Sequence, residues 1–150
     1  LPLIVHQPRY SMLDRSVEFG LMDTCGEKGL GMAVFSPLAQ GLLTDKYLGD
    51  EGVPVGSRMR EQRFLHTDVL TEDRVSHLRA LNELASQRGQ SLAQMALAWL
   101  LKDERITTVL VGASSAAQLA DSVSALDNAA FSEDELALID EHSRQASLDN

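Results

Sequence analysis

Three short apolar runs set apart by helical segments constrain this chain most. They are "LPLIV" at the start, "GMAVF" at 31–35 and "TTVLVG" at 107–112. Each is apolar and only five or six residues long, which reads as a buried strand. In "RSVEFGLMDTCGEKG", Val17, Leu21 and Met22 share one helical face and Gly29 lies past the end. "EDRVSHLRALNELASQRG" turns Val75, Leu78, Leu81 and Ala85 inward and stops at Gly89. Ser91 can cap a helix that buries Leu92, Met95, Ala96, Trp99 and Leu100. "SSAAQLADSVSALD" places Leu119, Val123 and Leu126 on one face. "FSEDELALIDEHSRQ" opens on a capping box, Ser132 with Glu135, and a staple of Phe131 on Leu136. From Leu48 to Leu70 no period is visible, and a loop that long is usually functional or disordered. The last residues read as frayed.

The order is therefore βα-β-loop-αα-βα-α, an α/β class. Strands separated by helices are expected to pair in parallel. Two architectures satisfy this: a small doubly wound sheet, or a piece of a (β/α)8 barrel. A whole barrel takes ~250 residues, and this chain has 150. A free partial barrel would leave an open sheet edge, a template for wrong pairing. The expectation is one domain fragment over residues 1–150, the C-terminal part of a longer chain, with no internal linker.

Charge and cysteine content exclude several classes. With 13 basic and 22 acidic residues the net charge is −9. A nucleic-acid partner is not expected, because phosphate backbones are bound by basic surface. Any anion must be held by local groups. Cys25 is the one cysteine, so neither an intrachain disulfide nor a cysteine metal site can form. That fits a reducing, cytoplasmic setting. Cys25 lies near Lys28; a reactive thiol is conceivable, a buried inert one commoner. No apolar run approaches the roughly 18 residues of a membrane span.

Two strand ends carry candidate chemistry. "VLVGASS" runs strand, Gly112, small residues, helix start. Free N–H groups of a first helical turn after Ser114 make an anion site, and Ser114 and Ser115 add hydroxyls. The plain alternative is a helix cap and nothing more. In barrels, a phosphate site commonly lies in the loops after the last two strands. Here these are Ser36–Gly41, within "VFSPLAQGLLTDKY", and Gly112–Ser115. The first carries an exposed-looking Gln40 and leads to Lys46 and then Arg58, two cations suited to a phosphate in an acidic chain. Plain surface charge is the alternative for both.

Taken together, "HQPRYSMLDR", "FSPLAQGLLTDKY", "GVPVGSR", "RGQSLAQMALAWLL" and "VLVGASSAAQL" resemble the C-terminal portion of an aldo-keto reductase. Within that family they look like the branch of potassium-channel beta subunits and bacterial L-glyceraldehyde 3-phosphate reductases. The likeness runs the length of the chain, in order. It implies strands six to eight of a (β/α)8 TIM barrel that binds NADP(H) without a Rossmann fold. Gln7 matches the residue bonded to the nicotinamide carboxamide, and Phe35 the aromatic stacked on the nicotinamide. Ser36, Pro37, Leu38 and Gly41 match the loop under the pyrophosphate. Lys46 and Arg58 match cations that fold over the cofactor. Gly112, Ser114 and Gln118 match the surroundings of the 2′-phosphate and its ribose. Where the family often has Glu-Asn near the adenine, this chain has Asp121 and Ser122.

The family's Tyr, Lys, Asp and His motifs belong to early strands and are not found here, so no catalytic residue is assigned. The resemblance implies reduction of a small aldehyde or ketone by a longer parent. The alternatives are a non-catalytic NADP(H)-binding regulatory subunit and an inactive partial barrel that self-associates. A homo-oligomer is compatible with all three. Tyr10, after the first strand, could line a substrate pocket or be a half-buried loop residue. Ser36, His6 and Asp14 lack the G-x-S-x-G elbow of a hydrolase triad. His6, His66, His77 and His142 share no metal-ligand spacing, and His6 reads as a satisfied structural histidine. Trp99 and Met95 read as core.

Overall fold

A computed structural model describes residues 2–49 and 69–147 of the chain. Three parallel strands form one sheet in the order β1-β2-β3: β1 (Val5–His6), β2 (Gly31–Val34) and β3 (Ile106–Val109). The helices are α1 (Leu21–Glu27), α2 (Glu72–Gln87), α3 (Leu92–Leu101), α4 (Ala116–Val123) and α5 (Glu133–Gln145). The parallel α/β expectation holds.

Helix boundaries follow the capping chemistry of the sequence. Ser91 with Gln94, and Ser132 with Glu135, form reciprocal capping boxes. Gly29 and Gly89 take positive φ just past α1 and α2. α1 packs on β2 and α3 on β3, while α2 lies against both α3 and α5. Trp99, Met95, Leu78, Leu81, Met32 and Ile139 sit in one core, none more than 2% exposed.

Several expectations are corrected. "TTVLVG" is not a buried strand: β3 begins at Ile106 and ends at Val109, Thr107 and Thr108 are exposed, and Leu110 and Val111 lie exposed beyond it. "LPLIV" is not a buried strand: β1 is two residues long, and Leu3, Ile4 and Val5 are exposed. β1 is the edge of the sheet with β2 on one side only. His6 is likewise exposed, not an internally satisfied histidine. The first helical segment is broken. A 3₁₀ turn (Ser16–Glu18) precedes α1, because Gly20 adopts φ 97° between them. Val17 and Met22 are buried but Leu21 turns outward. The helix expected over "SSAAQLADSVSALD" ends at Val123 and gives way to a 3₁₀ turn (Ser124–Asn128), and Leu119, Val123 and Leu126 are all exposed.

β2 and β3 are joined through an irregularity at Met32 and Ala33, which pair with Ile106 and Thr108. Thr107 is the extra residue. Its hydroxyl accepts the Met32 N–H at 3.2 Å, replacing a ladder bond. A Cβ at Gly31 would stand 2.8 Å from that hydroxyl oxygen, so the close approach requires glycine.

Candidate functional site

Because the strands are parallel, their C-terminal ends share one edge. Gln7 leaves β1 there, Phe35 leaves β2, and Leu110 leaves β3. The Phe35 N–H donates to Pro8 C=O at 3.1 Å, and Tyr10 N–H donates to Phe35 C=O at 3.3 Å. Leu110 N–H donates to Val34 C=O at 2.8 Å. The Phe35 backbone is thus pinned while the residue as a whole stays 40% exposed. Gln7, which follows β1, is exposed as well.

The loop after Phe35 is built from unfavourable backbone. Ser36, Ala39 and Gln40 have φ of 55°, 46° and 59°, and Gly41 has φ 102°. Non-glycine residues there cost of order 1–3 kcal/mol each and persist where surroundings enforce them. The enforcement is visible. Ala39 N–H donates to Ser36 C=O at 3.0 Å, and Gly41 N–H to Leu38 C=O at 2.8 Å. Pro37 is buried, Leu38 packs on the core, and Leu42 and Leu43 are fully buried. Thr44 then caps a 3₁₀ turn (Asp45–Tyr47) that carries Lys46, which is exposed. Gln40 is not the exposed side chain its sequence suggests: its Oε1 is buried without a hydrogen-bond partner. Such an orphaned acceptor calls for an explanation.

The third element is the start of α4. Gly112 opens onto free space, since an added Cβ would meet nothing within 4 Å. Ser115, rather than Ser114, is the N-cap, accepting the Gln118 N–H at 3.1 Å. The Gln118 side chain folds back, accepting the Ser114 N–H at 2.8 Å and its hydroxyl at 3.0 Å. Further along, Gln94 Nε2 donates to Asp121 Oδ1 at 2.8 Å and to Ser124 Oγ at 2.8 Å. The Ser122 hydroxyl donates to Gln118 C=O at 3.0 Å.

Gln7, Phe35–Gly41 and Gly112–Gln118 therefore come to one edge of the sheet, with Asp121 and Ser122 a turn farther along α4. Arg58 lies outside the described residues, as do His66 and the segments "GVPVGSR" and "RMREQRF". Gln94 was not legible as a site neighbour, because its role in the α3 capping box conceals its reach to α4.

Tyr10 does not line a pocket. It is 2% exposed, packs at a tilt against Trp99 with centroids 5.5 Å apart, and donates to Glu18 at 2.7 Å. Burial first, and then the Glu18 carboxylate, push its hydroxyl well above the usual tyrosine range. Cys25 is buried. Two concavities of about 300 and about 330 Å³ lie against Met12, Phe19 and Ser143 and against Trp99, Lys102 and Asp140. Neither is lined by a strand-end residue. The convergence of strand ends marks the better candidate, because it gathers backbone donors, an exposed aromatic residue and strain. Among the described residues, no group of three or more His, Cys, Asp or Glu is placed to hold a metal. Nor is any helix among them long and apolar enough to cross a membrane.

Comparison with known proteins agrees with the sequence resemblance. The model of the aldo/keto reductase family matches residues 1–144. L-glyceraldehyde 3-phosphate reductase of Escherichia coli O157:H7 is 56% identical over 147 residues, covering 95% of this chain and 42% of that protein. A probable voltage-gated potassium channel subunit beta of Oryza sativa subsp. japonica is 35% identical over 127 residues, 83% of this chain and 38% of that protein. NADH-specific methylglyoxal reductase of Escherichia coli (strain K12) is 34% identical over 125 residues, 83% of this chain and 37% of that protein. The chain thus spans about two fifths of the length of the curated relatives it matches. A match over 144 of 150 residues leaves one assignment: the chain belongs to the aldo/keto reductase family.

Proposed function

We propose that this chain supplies the cofactor-gripping part of an NADP(H)-dependent carbonyl reductase. Its three strands would be the sixth to eighth of a (β/α)8 barrel, with the remainder in a longer parent. The observation that carries this reading is the strained Ser36–Gly41 loop, set beside the exposed Phe35 and the Gly112–Ser115 turn. The residues suit such a cofactor. Gly112 leaves space for a close approach, and the orphaned Gln40 Oε1 can accept a donor.

A bound nicotinamide would supply the hydride that reduces a carbonyl. The chain's own residues would do the holding. Phe35 offers a flat face for the ring, and Gln7 an amide for its carboxamide. The loop that carries Ser36, Pro37, Leu38 and Gly41 would lie under the diphosphate. Lys46 and Arg58 neutralise phosphate charge, and Ser114 and Gln118 receive the adenosine side, with Asp121 and Ser122 toward the adenine. Ser114 and Gln118 are pre-organised by bonding each other; they must exchange that bond for the ligand.

The names of the relatives point to small aldehydes, including L-glyceraldehyde 3-phosphate and methylglyoxal, as substrates. The test is steady-state reduction of L-glyceraldehyde 3-phosphate by the full-length protein, with NADPH and NADH compared. Turnover with preference for NADPH is expected; turnover with NADH alone would overturn the cofactor assignment. The similarity to a channel beta subunit supports a second reading, a regulatory subunit that binds NADP(H). Tight NADPH binding without turnover on any small aldehyde would favour it.

A further inference from the structure

α2 and α5 bring two histidines together that no sequence spacing links. His77 and His142 are separated by 65 positions, yet their Nδ1 atoms lie 3.0 Å apart. Their ring centroids are 5.3 Å apart at an interplanar angle of 43°. We infer that His77 and His142 form a two-histidine site for a borderline divalent transition-metal ion, best represented by Zn²⁺. This inference does not rest on the proposed cofactor function, since the strand-end residues play no part in it.

The geometry fits the ion. Zinc binds imidazole nitrogen at about 2.0–2.1 Å in tetrahedral geometry, which places two such nitrogens about 3.3 Å apart. The observed separation is within a few tenths of an ångström of that. The residue type fits as well: imidazole suits Zn²⁺, Cu²⁺ and Ni²⁺, whereas Mg²⁺ and Ca²⁺ want oxygen.

The outer partner is also present. Asp73 lies one helical turn before His77, and its Oδ1 is 3.8 Å from His77 Nε2. A carboxylate on that side favours a proton on Nε2, which frees the Nδ1 lone pair for a metal. At three and four positions from either histidine along its own helix, Asp73 and Arg74 are the charged residues. Arg74 is committed elsewhere, donating to the carbonyls of Val69, Ala146 and Ser147. The His77 side chain is 22% exposed, so an ion can enter from solvent and keep water in its remaining positions. Both helices are capped and packed on each other, which holds the nitrogens in place.

Without metal, the same contact is a hydrogen bond in which one Nδ1–H donates to the other ring. The two cases are separable. Zn²⁺ titrated calorimetrically into chelator-treated protein should bind one ion per chain and raise its melting temperature. His77→Gln and His142→Gln should each weaken binding more than about tenfold, and Asp73→Asn about tenfold. Since glutamine at either site can loosen α2 from α5, the unmodified protein is read as well. In long-range ¹H–¹⁵N spectra of its four histidines, Zn²⁺ should shift two Nδ1 resonances together. No binding at millimolar Zn²⁺, unchanged affinity in His77→Gln and His142→Gln, or shifts confined to Nε2 atoms would each overturn the site.

Discussion

At the scale of single residues, the candidate site is marked by backbone strain in the loop after Phe35. Ser36, Ala39 and Gln40 hold conformations that L-residues avoid, and their side chains gave no hint of it. Positive φ is legible in a sequence only where glycine provides it, as at Gly41. The cations were legible, because Lys46 and a basic loop stand out in a chain of net charge −9. Charge there should favour a 2′-phosphate. Lys46→Met combined with Arg58→Ala in the full-length protein is expected to weaken NADPH by tenfold or more, with NADH much less affected. That figure corresponds to about 1.4 kcal/mol, a modest toll for charge-assisted hydrogen bonds. Fluorescence titration with both dinucleotides checks it; equal weakening of the two would sink the 2′-phosphate assignment.

At the scale of elements, the helix ends carry most of the local specification. Ser132 and Glu135 were readable as a capping box because both partners lie within one turn. Their link to Arg88 was not readable, since it crosses 47 positions. The Arg88 side chain is 4% exposed and donates to Glu135 at 2.6 Å, and to the carbonyls of Asn128 and Ala130. Its guanidinium also lies 3.9 Å from the Phe131 ring centroid. One side chain therefore ties the end of α2 to the entry of α5. Ser132→Ala should cost about 1 kcal/mol, a normal cap. Arg88→Met should cost more, about 2–3 kcal/mol, because it removes donors from Glu135, Gln90 and Asn128 and leaves the Ala130 carbonyl without its partner. Urea denaturation of both variants orders them; Arg88→Met no worse than Ser132→Ala would refute the tie.

At the scale of the whole molecule, ion pairs close the fold across its sequence length. Arg15, in the turn after β1, pairs with Asp140 on α5. Burial works against the Asp140 charge, yet Arg15 and then Arg144 hold its carboxyl below the usual carboxylate range. Arg105 does the same for Asp103. The Ser132 backbone N–H and then Arg88 do so for Glu135. All three folded values are depressed, so near pH 4 the unfolded chain binds more protons. Their stabilisation is complete above the unfolded value and is lost as pH falls through about 4 and below. Urea midpoints measured from pH 7 to pH 3 should fall on the acid side, and Asp140→Asn should flatten the fall. A flat profile in the unaltered chain would refute it. The sheet tells a related story. Parallel pairing was legible from strands alternating with helices, but the exposure of Leu3, Ile4 and Val5 was not. Hydrophobicity predicts that a run should be buried; only its neighbours decide whether it is.

By itself the sequence determined what acts over one or two turns: where α2, α3 and α5 begin, where Gly29 and Gly89 end their helices, and that the strands run parallel. Its ordered motifs also determined the family, since these survive as a linear pattern. Only the tertiary structure decided that Gln40 buries an orphaned oxygen, that Ser114 and Gln118 engage each other, and that His77 meets His142. Capping and periodicity are set by residues a few positions apart, whereas burial, strain and cross-element contact arise when distant segments pack and compete for the same space.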